Sequence, residues 1–256
     1  MKKLQTKLFL FLVLATGWVL PAFSQSLKEP SPSEKKFLVK PIHIIQSVLD
    51  QFGDNDWSLD SDDFNNNPVV PINDDGTGPI NIDSDFERIY KVKENSKRYN
   101  TLIKSLAEKE KILSDKFSQM PQEEAGKDNS TYDSLIAKVK QLSELYEIDV
   151  YAYINDDFIK GRPINEPDIN VKGASIVTKL NKGYYADENW TSYFLAFGNW
   201  KNIKLNKEFN CYYYKFKNTK TSSIQNIVIV MTGAQDRMKE LMHKIDWSVL
   251  NKALTD

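Results

Sequence analysis

The sequence predicts an α+β protein: a helical hairpin, then a mostly antiparallel sheet of about four or five strands, with C-terminal helices packed on the sheet. Apolar residues recur at helical spacing in the middle of the chain, at strand spacing after residue 148, and at helical spacing again near the C-terminus. This order favours helices gathered on one side of a sheet. With 41% hydrophobic and 12% aromatic residues, the chain can build a substantial core.

The first 24 residues have the pattern of a secretory signal peptide. Three lysines precede the short apolar run of residues 8–20, and small residues at positions 22 and 24 suit cleavage after Ser24. The apolar run is too short to span a bilayer comfortably, and no second run follows it. The sequence therefore predicts an exported protein, secreted or periplasmic, without membrane insertion.

Residues 25–53 are predicted to form a spacer followed by a short helix. Residues 25–36 are polar and rich in Pro and Ser, which is typical of a flexible linker. Pro41 suits the first turn of a helix, and Gly53 suits the position after its end. Between them, four apolar residues share one helical face: Ile42, Ile45, Leu49 and Phe52.

Residues 54–85, which we call the acidic segment, are predicted to form a flexible loop. Eleven acids and no Lys or Arg occur between Asp50 and Glu87. The segment has neither a helical nor a strand period, so we expect it to be ordered only where something pins it.

Two stretches of the acidic segment resemble calcium-binding loops. Acids alternate with other residues between Asp54 and Asp62, and residues 73–84 place Gly at the sixth position of a helix–loop–helix calcium loop. The twelfth position holds Ser84 instead of a bidentate Glu, and the flanks lack a helical period. Calcium is therefore an alternative to a solvated linker. No other cofactor is predicted, and no metal ligands are assigned, since His43 and His243 lack zinc-ligand spacing.

Residues 86–256 are predicted to form one unit containing the helical hairpin, the sheet and the C-terminal helices. The second helix of the hairpin begins near Ser130, where Ser130 and Asp133 resemble a capping box, and extends to Tyr146. The first helix ends at Pro121, and its apolar face contains Tyr99, Leu102, Ile103, Leu106, Leu113 and Phe117.

Short turns between the strand-like runs favour antiparallel neighbours. The strand-like runs cover residues 149–154, 174–180, 190–197, 209–216 and 224–231. Residues 227–231 are apolar on both faces, which suits a central strand. A helix is predicted after Gly233, and Asp246 is expected to cap a final short helix.

Cys211, the only cysteine, is predicted to be a buried apolar residue. The alternatives are an intermolecular disulfide and a catalytic thiol. A triad with His243 and Asp246 is disfavoured because His243 falls off the apolar face of its helix and Asp246 suits a cap. No catalytic residue is assigned, and the interpretation leans towards a protein that is not an enzyme.

Ten aromatic residues fall within residues 190–216. One face of these strands must fill the core, and the other is available as an amphipathic surface that binds sugars, peptides or proteins. Strand alternation places Tyr213 on the face opposite Tyr212 and Tyr214. We therefore assign Tyr213, Trp190 and Trp200 as the candidate ligand-binding residues.

The sequence thus predicts an exported, non-catalytic protein that binds a protein, a peptide or a small ligand outside the cytoplasm. The alternative is an extracytoplasmic hydrolase whose active site the sequence does not identify. Outside the acidic segment the mature chain is mildly basic without a dense Lys/Arg cluster, which disfavours a nucleic-acid partner.

If the leader is cleaved, mature protein from the producing cell should begin at or near Gln25 and remain soluble without detergent. N-terminal sequencing and membrane fractionation measure both properties. An intact Met1, or fractionation wholly with membranes, would show that the leader is an anchor instead.

Overall fold

The computed structural model describes residues 27–28, 31–63, 70–71, 86–118, 145–164, 169–181, 190–217 and 223–255. Its strands are β1 (Leu27–Lys28), β2 (Trp57–Asp62), β3 (Val70–Pro71), β4 (Glu87–Val92), β5 (Glu147–Ile154), β6 (Phe158–Lys160), β7 (Arg162–Pro163), β8 (Ile176–Leu180), β9 (Ser192–Gly198), β10 (Cys211–Tyr213) and β11 (Asn226–Gly233). Its α-helices are α1 (Pro32–Leu49), α2 (Lys97–Ser118) and α3 (Gln235–Lys244). Short 3-10 helices cover Asp50–Phe52 and Trp247–Ala253.

Seven strands form the main sheet in the order β2-β4-β5-β11-β9-β8-β7, and every neighbouring pair is antiparallel. The predicted class, helices with an antiparallel sheet, is therefore confirmed. Three strands of this sheet were not predicted: β2 and β4 carry charged residues where an apolar period would have identified them, and β7 is only two residues long. None of the helices in the described ranges is long and apolar enough to cross a bilayer.

The main sheet has two buried faces, as the alternation along β11 shows. Ile227, Ile229 and Met231 contribute to a large core on the first face, together with α1, α3 and the C-terminal 3-10 helix. Val228 and Val230 contribute to a smaller core on the second face, which includes residues of β6 and β10. Because β11 is apolar on both faces, its central position agrees with the prediction.

Helix α1 begins earlier than predicted, so residues 32–36 are helical and not spacer. Ser31 caps it: its backbone N–H donates to Glu34 Oε2 at 2.7 Å, and its Oγ accepts from the Glu34 N–H at 3.3 Å. Pro32 occupies the first turn, and Pro41 lies inside the helix. The Ser31–Glu34 capping box is the signal that the spacer interpretation overlooked.

Two predicted elements, the strand at 209–216 and the second helix of the hairpin, are not found as predicted in the described residues. The run at 209–216 is a strand only at β10, which pairs with β6 in a separate two-stranded sheet. The second helix of the predicted hairpin, from about Ser130 to Tyr146, falls on residues 130–144, which lie outside the described residues, and on a turn at 145–146. The C-terminal predictions are confirmed: α3 follows Gly233, and Asp246 Oδ1 accepts from the Ser248 N–H at 3.3 Å.

The prediction that the whole acidic segment is a flexible loop is wrong for β2, which pairs with β4. Buried Arg88 of β4 holds this strand: its guanidinium contacts Asp50 at 2.7 Å and Asp62 at 3.1 Å. A bulge between Leu59 and Ser61 adds one residue to β2. As a result Asp60 pairs with Lys91 on the second face, at 2.8 Å, while Asp62 pairs with Arg88 on the first.

A second buried arginine, Arg237 of α3, fixes the start of the acidic segment. Its side chain is 1% exposed and contacts Asp54 Oδ2 at 2.7 Å and Glu240 Oε1 at 2.8 Å. It also donates to the Phe52 carbonyl at 2.6 Å and lies over the Trp57 ring at 5.6 Å. Asp54, Asp60 and Asp62 therefore have specific partners, which a flexible loop would lack.

Replacing Arg237 with Met should lower the free energy of unfolding by about 3–5 kcal/mol, because Asp54 and the Phe52 carbonyl lose their buried partner. Urea unfolding measures this change. Arg162→Met is the matched control, since Arg162 is exposed and should change stability by no more than about 0.5 kcal/mol. Equal stability of the two variants would show that Arg237 does not hold the acidic segment.

Candidate functional site

A cleft of about 770 Å³ opens at the end of the sheet where β9 ends and β11 begins. Its walls come from three parts of the chain: residues 173–175 before β8, the segments on either side of β10, and the C-terminal residues Asn251, Leu254 and Thr255 at the end of the last 3-10 helix. The antiparallel order of β8, β9 and β11 brings these parts together.

Two glycines allow the cleft walls to approach their neighbours closely. Gly198 has φ +110°, and a Cβ there would lie 2.3 Å from the Gln225 carbonyl oxygen. Gly173 has φ +90°, and a Cβ there would lie 2.5 Å from Ser248 Cα. Both positions therefore require glycine, for backbone conformation and for space.

Hydrogen bonds fix the same walls. The Ile224 N–H donates to Thr255 Oγ1 at 2.6 Å, and the Thr255 N–H donates to the Ile224 carbonyl at 2.8 Å. Asn251 Nδ2 donates to the Gly173 carbonyl at 3.0 Å. These bonds tie the C-terminal residues to the segments that precede β8 and β11, and they fix the positions of the cleft walls.

Tyr214 forms part of the wall, and the predicted binding residue Trp200 lies behind it. Burial raises the pKa of Tyr214, so its hydroxyl is protonated and donates to the Gln225 carbonyl at 3.0 Å. Trp200 is 0% exposed, its Nε1 donates to the Phe197 carbonyl, and its ring lies 4.7 Å from the Tyr214 ring. The assignment of Trp200 as a surface binding residue is wrong; it is a core residue that supports Tyr214.

Neither of the other two predicted binding residues lines the cleft. Tyr213 is 51% exposed, as alternation predicted, and its ring lies 6.4 Å from that of Phe158. Trp190 is half-buried and precedes β9 at the end opposite Gly198. The structure therefore does not bring Tyr213, Trp190 and Trp200 together.

The charge of the cleft is positive. Lys201 and Lys217 line it, and no Asp or Glu is among its described lining residues. Within the described part of the chain, neither lysine forms an ion pair. Sequence reasoning missed these two lysines because isolated polar residues in loops show neither helical nor strand periodicity. The Gly198–Asn199 turn after an apolar strand was the available signal for this end of the sheet.

Cys211 is buried and free, so the prediction of burial is confirmed. His243 is exposed on α3, as expected for a residue off the apolar face. Nothing in the described structure joins these two side chains by a hydrogen bond, so the thiol triad gains no support.

A second feature lies on the second face of the sheet, around Asp149 of β5. Burial, together with the charges of Glu147 and Glu87, raises the pKa of Asp149 to about 7, while Lys91 opposes the rise. Among the residues that the structure describes, Asp149 Oδ1 has no hydrogen-bond partner. Thr232 stands directly opposite in β11, and its hydroxyl lies 2.8 Å from that of Ser192.

Across the described ranges, no group of three or more His, Cys, Asp or Glu side chains is placed to hold a metal ion. The alternating acids before Asp62 are used otherwise: Asp54 accepts from the Asp56 and Trp57 N–H groups, and Asp60 contacts Lys91. The second calcium-like stretch, residues 73–84, lies outside the described residues.

No protein-family model matches the chain, and neither a curated protein nor a solved structure matches it. The function is therefore argued from the geometry of the cleft and the charges around it.

Asp149 should make stability depend on pH. Its pKa is about 7 in the folded state, against an ordinary value of 3.8 for an aspartate carboxyl, so the folded state binds the proton more tightly. Stability should then fall as pH rises from about 4 to about 7. Asp149→Asn should remove this dependence. At about pH 8 the variant should be more stable than the parent by about 1–2 kcal/mol; the gain is modest because solvent screens the exposed part of the carboxyl.

Urea unfolding at about pH 5 and about pH 8 measures the effect. Asp157→Asn, at an exposed position, is the control and should leave the pH dependence of the parent unchanged. A pH dependence that persists in Asp149→Asn would show that another group causes it.

Proposed function

We propose that this chain is an exported, non-catalytic binding protein that takes a small polar ligand in the cleft. The volume of the cleft, about 770 Å³, is the observation that carries the proposal, because pockets for small ligands typically occupy about 300–1,000 Å³. The leader-like N-terminus supports an extracytoplasmic location.

The rigidity of the walls also supports binding. Gly173 and Gly198 fit tightly against neighbouring backbone, and the C-terminal residues are hydrogen-bonded to the start of β11. A preformed site loses little conformational entropy when a ligand enters it, so more of the contact energy appears as affinity.

The test blocks the cleft without disturbing the core. Asn199 is exposed at the cleft, so Asn199→Trp should fill its mouth; Asn202→Trp is the matched control on the same loop, outside the lining. Native mass spectrometry of protein purified from its own medium should find a small molecule on the parent and on Asn202→Trp, and none on Asn199→Trp.

Tyr213→Ala separates the cleft from the aromatic surface predicted from the sequence. If the ligand binds in the cleft, Tyr213→Ala should retain it. Loss of the ligand in Tyr213→Ala with retention in Asn199→Trp would place binding at Tyr213 and contradict the proposal.

One observation favours the second candidate, an extracytoplasmic hydrolase. A carboxyl with a pKa of about 7 is suited to act as a general acid or base near neutral pH, and Asp149 has such a pKa. In this case Asp149→Asn should abolish hydrolysis while the protein stays folded. Full activity in Asp149→Asn would exclude this carboxyl as the catalytic group.

A further inference from the structure

We infer that the ligand of the cleft is a hydroxylated organic anion, a small molecule that carries a carboxylate or phosphate group together with several hydroxyls. The inference rests on the proposed function, since it names the class of ligand that the same cleft takes. Three features of the lining support it: its charge, its remaining hydrogen-bonding capacity and its apolar surface.

The charge comes from two lysines whose backbones are anchored at the cleft. Lys201 follows Trp200, which is fixed by its indole hydrogen bond to the Phe197 carbonyl. The Lys217 N–H donates to Gln225 Oε1 at 2.8 Å. With no carboxylate among the described lining residues, a ligand anion is the complementary partner for both ammonium groups.

The polar groups of the lining are only partly used within the protein. Thr255 Oγ1 accepts from the Ile224 N–H, which leaves its hydroxyl proton to donate. Ser175 Oγ donates to the Gly198 carbonyl, which leaves its lone pairs to accept. Asn251 uses one N–H on the Gly173 carbonyl, which leaves its second N–H and its Oδ1.

This mixture of remaining donors and acceptors suits hydroxyl groups, because each hydroxyl both donates and accepts. Acetate only accepts hydrogen bonds, and inorganic phosphate carries fewer hydroxyls than a sugar acid, so neither uses the Ser175 and Asn251 acceptors as a polyhydroxylated ligand would. Ala174, Leu254 and the ring of Tyr214 give the lining an apolar part against which the carbon skeleton of a ligand can pack.

The test uses D-glucuronate, D-gluconate and D-glucose 6-phosphate as probes, with D-glucose, acetate and inorganic phosphate as the matched comparisons. Amide chemical shifts of the full mature chain measure binding. At least one hydroxylated anion should shift Asn199, Lys201 and Gln225, and it should bind at least about tenfold more tightly than D-glucose.

A double variant, Lys201→Met with Lys217→Met, should weaken that binding by at least about tenfold, because two charge-assisted contacts are lost. Lys204→Met with Lys207→Met is the control: both lysines are exposed outside the cleft lining, and binding should be unchanged. Thermal unfolding of each variant verifies that the fold is intact.

Each other outcome overturns the inference. Equal binding of D-glucose, or unchanged binding in the Lys201/Lys217 variant, would show that the two lysines do not recognise the charge of the ligand. Acetate or phosphate binding as tightly as the probes would remove the role of the hydroxyls. Shifts from none of the probes would reject the class of ligand. If no probe binds but Asn199→Trp still loses the native ligand, the proposed function is supported and only the inferred class of ligand is rejected.

Discussion

Two buried arginines set the arrangement of the N-terminal half of this structure. A guanidinium in the core is costly unless anions and carbonyls surround it. Arg88 and Arg237 each find part of their partners around the 3-10 turn after α1: Asp50 for Arg88, and Asp54 with the Phe52 carbonyl for Arg237. Arg88 joins the end of α1 to β2 through Asp50 and Asp62. Arg237 joins the same region to α3. The edge of the sheet and the helices over it are thereby held by charge pairing as well as by apolar contact.

The pairing also affects the acids themselves. Although burial opposes it, the Asp56 N–H and the Arg237 guanidinium keep the pKa of Asp54 below its usual value. Asp149 has the opposite environment, because its neighbours are mainly other carboxylates and its pKa rises. The same type of side chain therefore stabilises the fold at one place and strains it at another, depending only on which charges the strands bring beside it.

The elements predicted correctly are those whose apolar period continues without interruption. The strands β5, β9 and β11, and helix α3 with its Asp246 cap, all follow the expected pattern. β4 was missed because buried Arg88 occupies a position where an apolar residue would complete the alternation. β2 was missed because its acids suggested a loop, and because the bulge at Asp60 breaks the register that alternation assumes.

The candidate site was less predictable than the fold. Its lining residues are separated by up to 82 positions of sequence, from Gly173 to Thr255, and meet only because β8, β9 and β11 are neighbours. Trp200 illustrates the opposite error: a large aromatic in a loop suggested a surface, but its indole N–H finds a carbonyl and the ring becomes core. The order of the strands decides which loop residues line a cleft and which, like Trp200, are buried, and the sequence did not define that order.

The bulge in β2 hinders two copies of this chain from pairing through the edges of their sheets. In the described sheet β2 and β7 are the edge strands, and an exposed edge is a template for pairing with another chain. β2 disrupts that template with an extra residue and with Asp60 and Asp62, while β7 is two residues long and contains Pro163, which has no N–H to donate. Both ends of the sheet thus resist edge-to-edge pairing, so the chain can keep a long antiparallel sheet without offering another copy a strand to extend.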